Sequence, residues 1–389
     1  MNQWLCCQLG AREHYAVPRA LHVSRLLEQF ITDLWVRPRR FHPALACARV
    51  TAPNLSALTF ALKARATRTT GWKLICERNA WFQRRAVDQL VQTRNNGGHT
   101  VFAYSYAAEK IFKHARERGW RTVLGQIDSG PTEERIFTEL HKQSNGAWES
   151  APEEYWDQWR SECELADQIV VNSTWSKQGM LSEGVPAEKI RLLPVAYEPS
   201  AESKGFQRRY PNAFTAERPL RVLFLGLINL RKGIGQLFDA IKLMTGEYVE
   251  FWFVGPTQIR VPAELKKHPQ VRWFGIVPRL EVDHYYRNAD VFILPTLSDG
   301  FGLTQLEAQS WKLPVIASRR CGEVVNDGVN GLILEEVSGQ TIAAAVFQLL
   351  RSPDLLRAMS ARSGVSDRFS LQTLASSLSN LLVSSSSNL

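Results

Sequence analysis

Apolar and polar positions fall into alternating strand-like and helix-like blocks. Trp4–Leu9 is apolar and stops at Gly10, and a polar loop, Ala11–Tyr15, follows. Pro18 then opens a helical pattern in which Ala20, Leu21, Leu26, Leu27 and Phe30 share a face, and Ile31–Val36 reads as the next strand. Strand, glycine, helix, strand is the pattern of a βαβ unit, whose strands are parallel. The theme recurs. Thr100–Tyr104 predicts a strand, Ala107–Arg118 a helix closed by Gly119, and Arg121–Ile127 a strand. A helix closes over Glu162–Ala166; Gln168–Asn172 is a strand, Thr174–Glu183 a helix closed by Gly184, and Ile190–Val195 a strand. Residues 40–98 show no clear period.

A break follows. Tyr197–Pro219 is polar and holds Pro199, Pro211 and Pro219, which reads as an interdomain linker over 199–219. A second series then begins. Arg221–Leu227, Tyr248–Val254, Val271–Ile276, Val291–Leu294 and Pro314–Ala317 predict strands, and Ile234–Met244, Leu280–Asn288 and Leu303–Trp311 predict helices. The fold expected is α/β: two doubly wound Rossmann-like domains, 1–198 and 220–366, facing across a cleft. The length of 389 residues fits two cores better than one. Residues 367–389 are expected to form a helix that packs back on the first domain, with a frayed serine-rich end at Ser384–Ser387. Ligands in such folds lie beyond the carboxyl ends of the strands, so the cleft is the expected site.

Composition narrows the class. A hydrophobic fraction of 44% and a charged fraction of 22% are ordinary for a globular protein. No apolar run reaches the ~18 residues of a membrane span. The N-terminus lacks the pattern of a signal peptide. Cys6, Cys7, Cys47, Cys76, Cys163 and Cys321 form no C-x-x-C pair, so a reduced, cytoplasmic chain without a zinc site is the simplest reading. No G-x-G-x-x-G follows the first strand, which weighs against a dinucleotide cofactor.

The net charge of +9 is unevenly placed. Arg37, Arg39, Arg40, Arg49, Lys63, Arg65, Arg68, Lys73, Arg78, Arg84 and Arg85 share their stretch with one acid, Glu77. Two readings stand open: a solvated basic face, or a surface for anionic lipid at the inner face of a membrane or for an anionic or lipid-linked acceptor. No nucleic-acid-binding signature accompanies the charge.

The candidate chemistry concentrates in Asp290–Ser318. A strand ends at Pro295, a polar loop carries Asp299, Gly300, Phe301 and Gly302, and a helix starts at about Leu303. Glycines there let backbone approach a ligand, and the helix start offers N–H groups to a pyrophosphate. Glu307 lies one turn on, where an ionised carboxylate can accept two ribose hydroxyls. This stretch resembles the retaining GT-B glycosyltransferases of family 4, whose signature is E-x7-E around E-G-F-G. Here it reads Asp299-x7-Glu307, with Gly300, Phe301 and Gly302 in place and Asp for the first Glu. The resemblance implies that Asp299 reaches the donor sugar and Glu307 the nucleotide ribose.

A second segment, Gly226–Gly233, follows a strand and precedes a helix. It is similar to the family's G-R-L-x-x-x-K-G, with Lys232 and Gly233 matching, Leu227 at the Arg position, and Arg231 beside Lys232 as a replacement cation. Two cations can neutralise a departing nucleoside diphosphate without a metal ion. Ala166–Lys177, Gly184-Val185-Pro186 with Lys189-Ile190, and Asn326–Gly331 match further family segments in order. In the first domain the resemblance implies donor and acceptor contacts from the loop after Gly10, making Arg12 and His14 candidates. The family's later histidine is missing here; Gln126 or Asp128 can stand in its place, with Glu133 or Glu134 lining the cleft.

The implied function is transfer of a sugar from a nucleotide-sugar to a hydroxyl acceptor with retention, without cofactor or metal. No Ser/His/Asp or Cys/His nucleophile constellation competes with it. Two alternatives remain: another GT-B enzyme, such as a sugar-nucleotide epimerase or an inverting transferase, and a non-catalytic nucleotide-sugar-binding scaffold.

Overall fold

The computed structural model describes residues 3–37, 40–94, 98–143 and 148–381. Two parallel sheets organise them. The first has the order β3-β2-β1-β4-β5-β6-β7, from β1 (Gln3–Gln8), β2 (Leu27–Thr32), β3 (Val50–Thr51), β4 (His99–Tyr104), β5 (Arg121–Gly125), β6 (Gln168–Val171) and β7 (Ile190–Leu192). Its crossovers carry α1 (Ala16–Val23), α2 (Asn54–Ala66), α3 (Gly71–Leu90), α4 (Glu109–Glu117), α5 (Pro131–Gln143), α6 (Glu153–Leu165) and α7 (Thr174–Ser182).

After a single turn, α8 (Ala201–Lys204), the second sheet runs β10-β9-β8-β11-β12-β13. Its strands are β8 (Leu220–Leu225), β9 (Val249–Val254), β10 (Val271–Gly275), β11 (Val291–Leu294), β12 (Val315–Ser318) and β13 (Gly331–Leu334). The helices are α9 (Ile234–Leu243), α10 (Ala263–Lys266), α11 (Val282–Asn288), α12 (Thr304–Ser310), α13 (Gly339–Arg351) and α14 (Pro353–Arg362). Parallel strands are covered by helices on both faces, so the central ones read as continuous apolar runs. Trp4, Leu5 and Cys6 in β1, and Val222, Leu223 and Phe224 in β8, are accordingly buried. This is the doubly wound pair of domains that the alternation predicts.

Three local readings change. The first helix stops at Val23, and Leu27–Thr32 is the strand, not Ile31–Val36. Arg25 takes a left-handed φ of 57°, and the Leu26 N–H closes back on the Leu21 carbonyl at 2.9 Å, a helix stop made without glycine. Residues 40–98 contain two helices, α2 and α3, whose period the high surface exposure of α2 obscures. The stretch 199–219 is no free tether. Tyr210 and Phe214 are buried in the second domain's core, Arg208 donates to the Tyr286, Arg287, Ala289 and Trp311 carbonyls, and Arg218 pairs with Asp290 at 2.6 Å. Arg208 and Arg218 thus fasten the stretch to the second domain, while Glu202, Lys204, Gln207, Arg209, Asn212, Thr215 and Glu217 face solvent.

After α14 the chain crosses back. Phe369 packs beside Phe301, and its carbonyl accepts from the Tyr197 N–H at 2.8 Å. The last helix, α15 (Leu371–Asn380), then buries Leu374, Ala375 and Leu378 against Trp4, Ala16 and Leu21 of the first domain. The serine-rich end at 384–387 lies outside the described residues.

Candidate active site

Strand order fixes where loops converge. In the first sheet β1 lies between β2 and β4, and in the second β8 lies between β9 and β11. The connections leave these central strands in opposite directions, opening a crevice at each sheet's carboxyl edge. The loops after β1, β8 and β11 meet there. They enclose a cleft of about 390 Å³, lined by Arg12, Glu13, Gly226, Arg231, Lys232 and Asp299, with Gly302–Thr304 at the start of α12.

The two cations are built in by local turn chemistry. Asn229 caps the turn Leu230–Lys232, its Oδ1 accepting from the Lys232 N–H at 3.2 Å. Gly233 ends the turn at φ 70°, where a Cβ would lie 1.9 Å from the Pro295 carbonyl oxygen. Only glycine allows the Lys232 turn to press against the end of β11, whose next residues form the acidic loop. Arg231 is tied to that loop twice: its Nη1 donates to the Ser298 carbonyl at 2.7 Å and its carbonyl accepts from the Leu297 N–H at 2.7 Å. Lys232 Nζ is paired directly with Asp299, and Arg231 lies 3.8 Å from it. Against the desolvation of its burial, Lys232 first and Arg231 second hold the Asp299 carboxyl below its usual value.

The acidic loop is also one of the contacts between domains. Ser298 Oγ donates to Glu133 Oε2 at 2.8 Å, accepts from Trp175 Nε1 at 3.0 Å, and lies 3.1 Å from Ser129 Oγ. Glu133 also faces Arg231 at 3.6 Å. Burial pushes the Glu133 carboxyl up to about 7; Arg231 opposes the rise and Asp128 adds to it. Gly300 has a different role from the ligand approach expected of it. A Cβ there would lie 1.9 Å from the Ile127 carbonyl oxygen of the first domain, so its bare Cα admits the partner domain's backbone. Phe301 is a core residue, buried with Val195, Leu306, Val324 and Phe369. Gly302, at φ 79°, turns the chain into α12.

Glu307 lies outside the cleft lining and is nearly buried, at 6% exposure. Its Oε1 accepts from Arg279 Nη2 and its Oε2 from the Tyr286 hydroxyl, each at 2.8 Å. Ribose hydroxyls would therefore have to share or displace these donors. Arg279 was not legible as a site residue: it begins the short 3-10 turn Arg279–Glu281 that leads into α11, and nothing in its neighbourhood announces a partner at position 307.

The first domain contributes the loop after β1. Gly10, at φ 81°, anchors it through its N–H to Asp33 Oδ1 at 2.9 Å. Glu13, His14 and Tyr15 then adopt left-handed φ values of 49°, 51° and 61°. Each costs about 1–2 kcal/mol for a residue with a Cβ. Such strain persists where surroundings over-determine the backbone, commonly at functional sites. The turn places Arg12 and Glu13 in the cleft. His14 stays at the rim. Partial desolvation and then the Arg279 guanidinium of the other domain lower its pKa, while Glu307 acts in the opposite sense.

Asp128 faces a second cavity, of about 110 Å³, that shares Arg12 and Ile127 with the main cleft and adds Arg78, Asn79, Ser105 and Tyr155. Its Oδ1 accepts from the Tyr106 hydroxyl, Gln126 Nε2 and the Gly130 N–H at 2.6–2.9 Å. Gln126 is buried, bridging Asp128 and Trp159, and Glu134 is bound to Trp148 and the Ala151 N–H. Neither of these two lines either cavity.

Comparisons with known proteins bear on the fold and on one segment of the sequence. The family model for glycosyl transferases group 1 matches residues 219–352. The amylovoran biosynthesis glycosyltransferase AmsK of Erwinia amylovora is 26% identical over 198 residues, 46% of each chain. The D-inositol 3-phosphate glycosyltransferase of Frankia alni is 35% identical over 97 residues, 24% of each chain. The chain thus spans less than half the length of these curated relatives. Among solved structures, sucrose-phosphate synthase from Thermosynechococcus elongatus superposes with a TM-score of 0.67 at 17% identity, covering 98% of this chain and 99% of that one. Anabaena HepE in complex with UDP superposes with a TM-score of 0.65 at 14% identity, covering 98% and 100%. The chain therefore has the two-domain GT-B fold over nearly its whole length and, in residues 219–352, the sequence pattern of the group 1 glycosyltransferases.

Proposed function

We propose that the chain transfers a glycosyl group from a nucleoside-diphosphate sugar to a hydroxyl acceptor, with retention of anomeric configuration and without a metal ion. The observation that carries the reading is the cleft in which Lys232, Arg231 and Asp299 converge with the start of α12. HepE structures in complex with UDP and with UDP-glucose support a uridine donor by analogy of fold. In the step, the bond from the anomeric carbon to the diphosphate oxygen breaks and its electron pair leaves with the diphosphate. The acceptor oxygen bonds the anomeric carbon on the same face, and its proton passes to a diphosphate oxygen. Lys232 and Arg231 neutralise the charge that develops on the leaving group. Asp299, paired with Lys232 in the free protein, is released toward the sugar when the diphosphate takes that lysine.

Calorimetry with UDP, together with turnover of UDP-sugars in excess EDTA, tests this. Losing a charge-assisted hydrogen bond costs roughly 1.5–3 kcal/mol, about ten- to a hundredfold in affinity. Glu307→Gln should weaken UDP by about that factor if the carboxylate holds the ribose. Asp299→Asn should leave UDP binding no weaker, since it frees Lys232, while lowering turnover. Unchanged UDP affinity in Glu307→Gln removes the ribose assignment, and activity lost in EDTA but restored by Mg²⁺ removes metal independence.

A further inference from the structure

None of the residues of α2 is fully buried. Phe60 stacks on Trp81 with centroids 5.4 Å apart, Ser56 Oγ accepts from Trp81 Nε1 at 3.0 Å, and Asn54 at the helix start exchanges hydrogen bonds with the Trp35 backbone. On the opposite side Leu55, Leu58 and Leu62 stand 76%, 55% and 57% exposed. Their spacing of three and four residues makes one stripe. Lys63 and Arg65 flank that stripe, and Arg68 and Lys73 follow it, all exposed. No Asp or Glu lies between Asp33 and Glu77. Among the described residues, these four cations enter no ion pair. In space the acid Glu149 lies beside Gly71 at the start of α3 rather than beside the stripe. A leucine stripe bordered by unpaired cations complements one surface chemistry in both its parts: acyl chains beneath anionic headgroups.

We propose that α2 and the turn after it, through Lys73, dock this protein on a bilayer surface carrying anionic lipid. The leucines enter the interface and the cations meet lipid phosphates. The next helix, α3, carries Ile75, Arg78, Asn79 and Phe82 into the 110 Å³ cavity beside the cleft. Docking does not rest on the reaction proposed above, because it is read without turnover.

The test is sedimentation of the full chain with phosphatidylcholine vesicles and with vesicles of phosphatidylcholine and phosphatidylglycerol. The protein should bind the anionic vesicles, and less so as salt rises. Leu55→Gln/Leu58→Gln/Leu62→Gln, on exposed positions, should keep its circular dichroism and lose at least about tenfold in partitioning. Lys63→Gln/Arg65→Gln should lose about fivefold per charge on anionic vesicles and nothing on neutral ones. The proposal falls if the wild-type chain does not sediment with anionic vesicles, or if the leucine variant sediments equally well. It falls too if the stripe proves to drive self-association in gel filtration while vesicle binding is absent.

Discussion

Gly300 offers a way to separate nucleotide binding from catalysis. Its added Cβ would sit 1.9 Å from the Ile127 carbonyl oxygen, where real contacts do not fall below 3.0 Å. Gly300→Ala must therefore move one backbone from the other by about 1 Å, and neither side is a flexible side-chain tip that could yield cheaply. The shift falls on the loop between Asp299 and Phe301 and on Ile127, which lines both cavities. It also strains the Ser298 contacts to Glu133, Trp175 and Ser129. Each hydrogen bond lost there is worth about 1 kcal/mol net. A misplacement of about 1 Å between reacting groups can cost on the order of a hundredfold in rate. Lys232 and Arg231, the groups proposed to bind the diphosphate, both belong to the second domain. Gly300→Ala should thus lower kcat by about a hundredfold while UDP affinity changes by only a few fold. Stopped-assay kinetics with calorimetry on UDP measures both. Gly205→Ala is the control, since nothing lies within 4 Å of its added Cβ. Wild-type kcat in a folded Gly300→Ala protein would refute the reasoning. An equal loss of UDP binding would show that the nucleotide site itself spans both domains.

Two further outcomes follow from strain and from burial. His14→Gly should raise stability by about 1 kcal/mol in chemical denaturation, because glycine takes the left-handed φ without penalty, and should lower turnover only if the imidazole touches a substrate. Stability unchanged or reduced would mean that the turn is not strained at this residue. For Glu133, whose folded pKa is raised to about 7, the folded state holds a proton that the unfolded state has lost above about 4.5. Its contribution is present below the unfolded value and is lost as pH rises through 7, so Tm should fall over that window. Glu133→Gln should flatten the slope without abolishing it, because buried Glu162 is also raised to about 7; an unaltered slope would place Glu133 outside the linkage.

Much of the architecture was legible in the chain because it is repeated locally. Apolar runs of four to six residues separated by helical periods specify βαβ units, and their handed crossovers leave little choice of topology. The Asp299–Glu307 spacing and the Lys232-Gly233 pair marked a strand, loop and helix for the same reason: each lies within one such unit. What the sequence could not give was any relation between units. Arg25 stops a helix by a backbone state normally supplied by glycine, and the strand that follows it, β2, pairs with β1. Arg208 and Tyr210 look like linker polarity until Asp290, Ala289 and Trp311 are brought beside them. Glu307 looks like a free carboxylate until Arg279 and Tyr286 occupy it. Gly300 carries the sharpest contrast. Read along the chain it was a loop glycine open to a ligand, whereas in three dimensions its missing side chain is the space in which the other domain sits. Hydrophobic periodicity is set by neighbours along the chain, but the partner of a buried polar group or of a bare Cα is set by whichever distant segment the two cores bring against it.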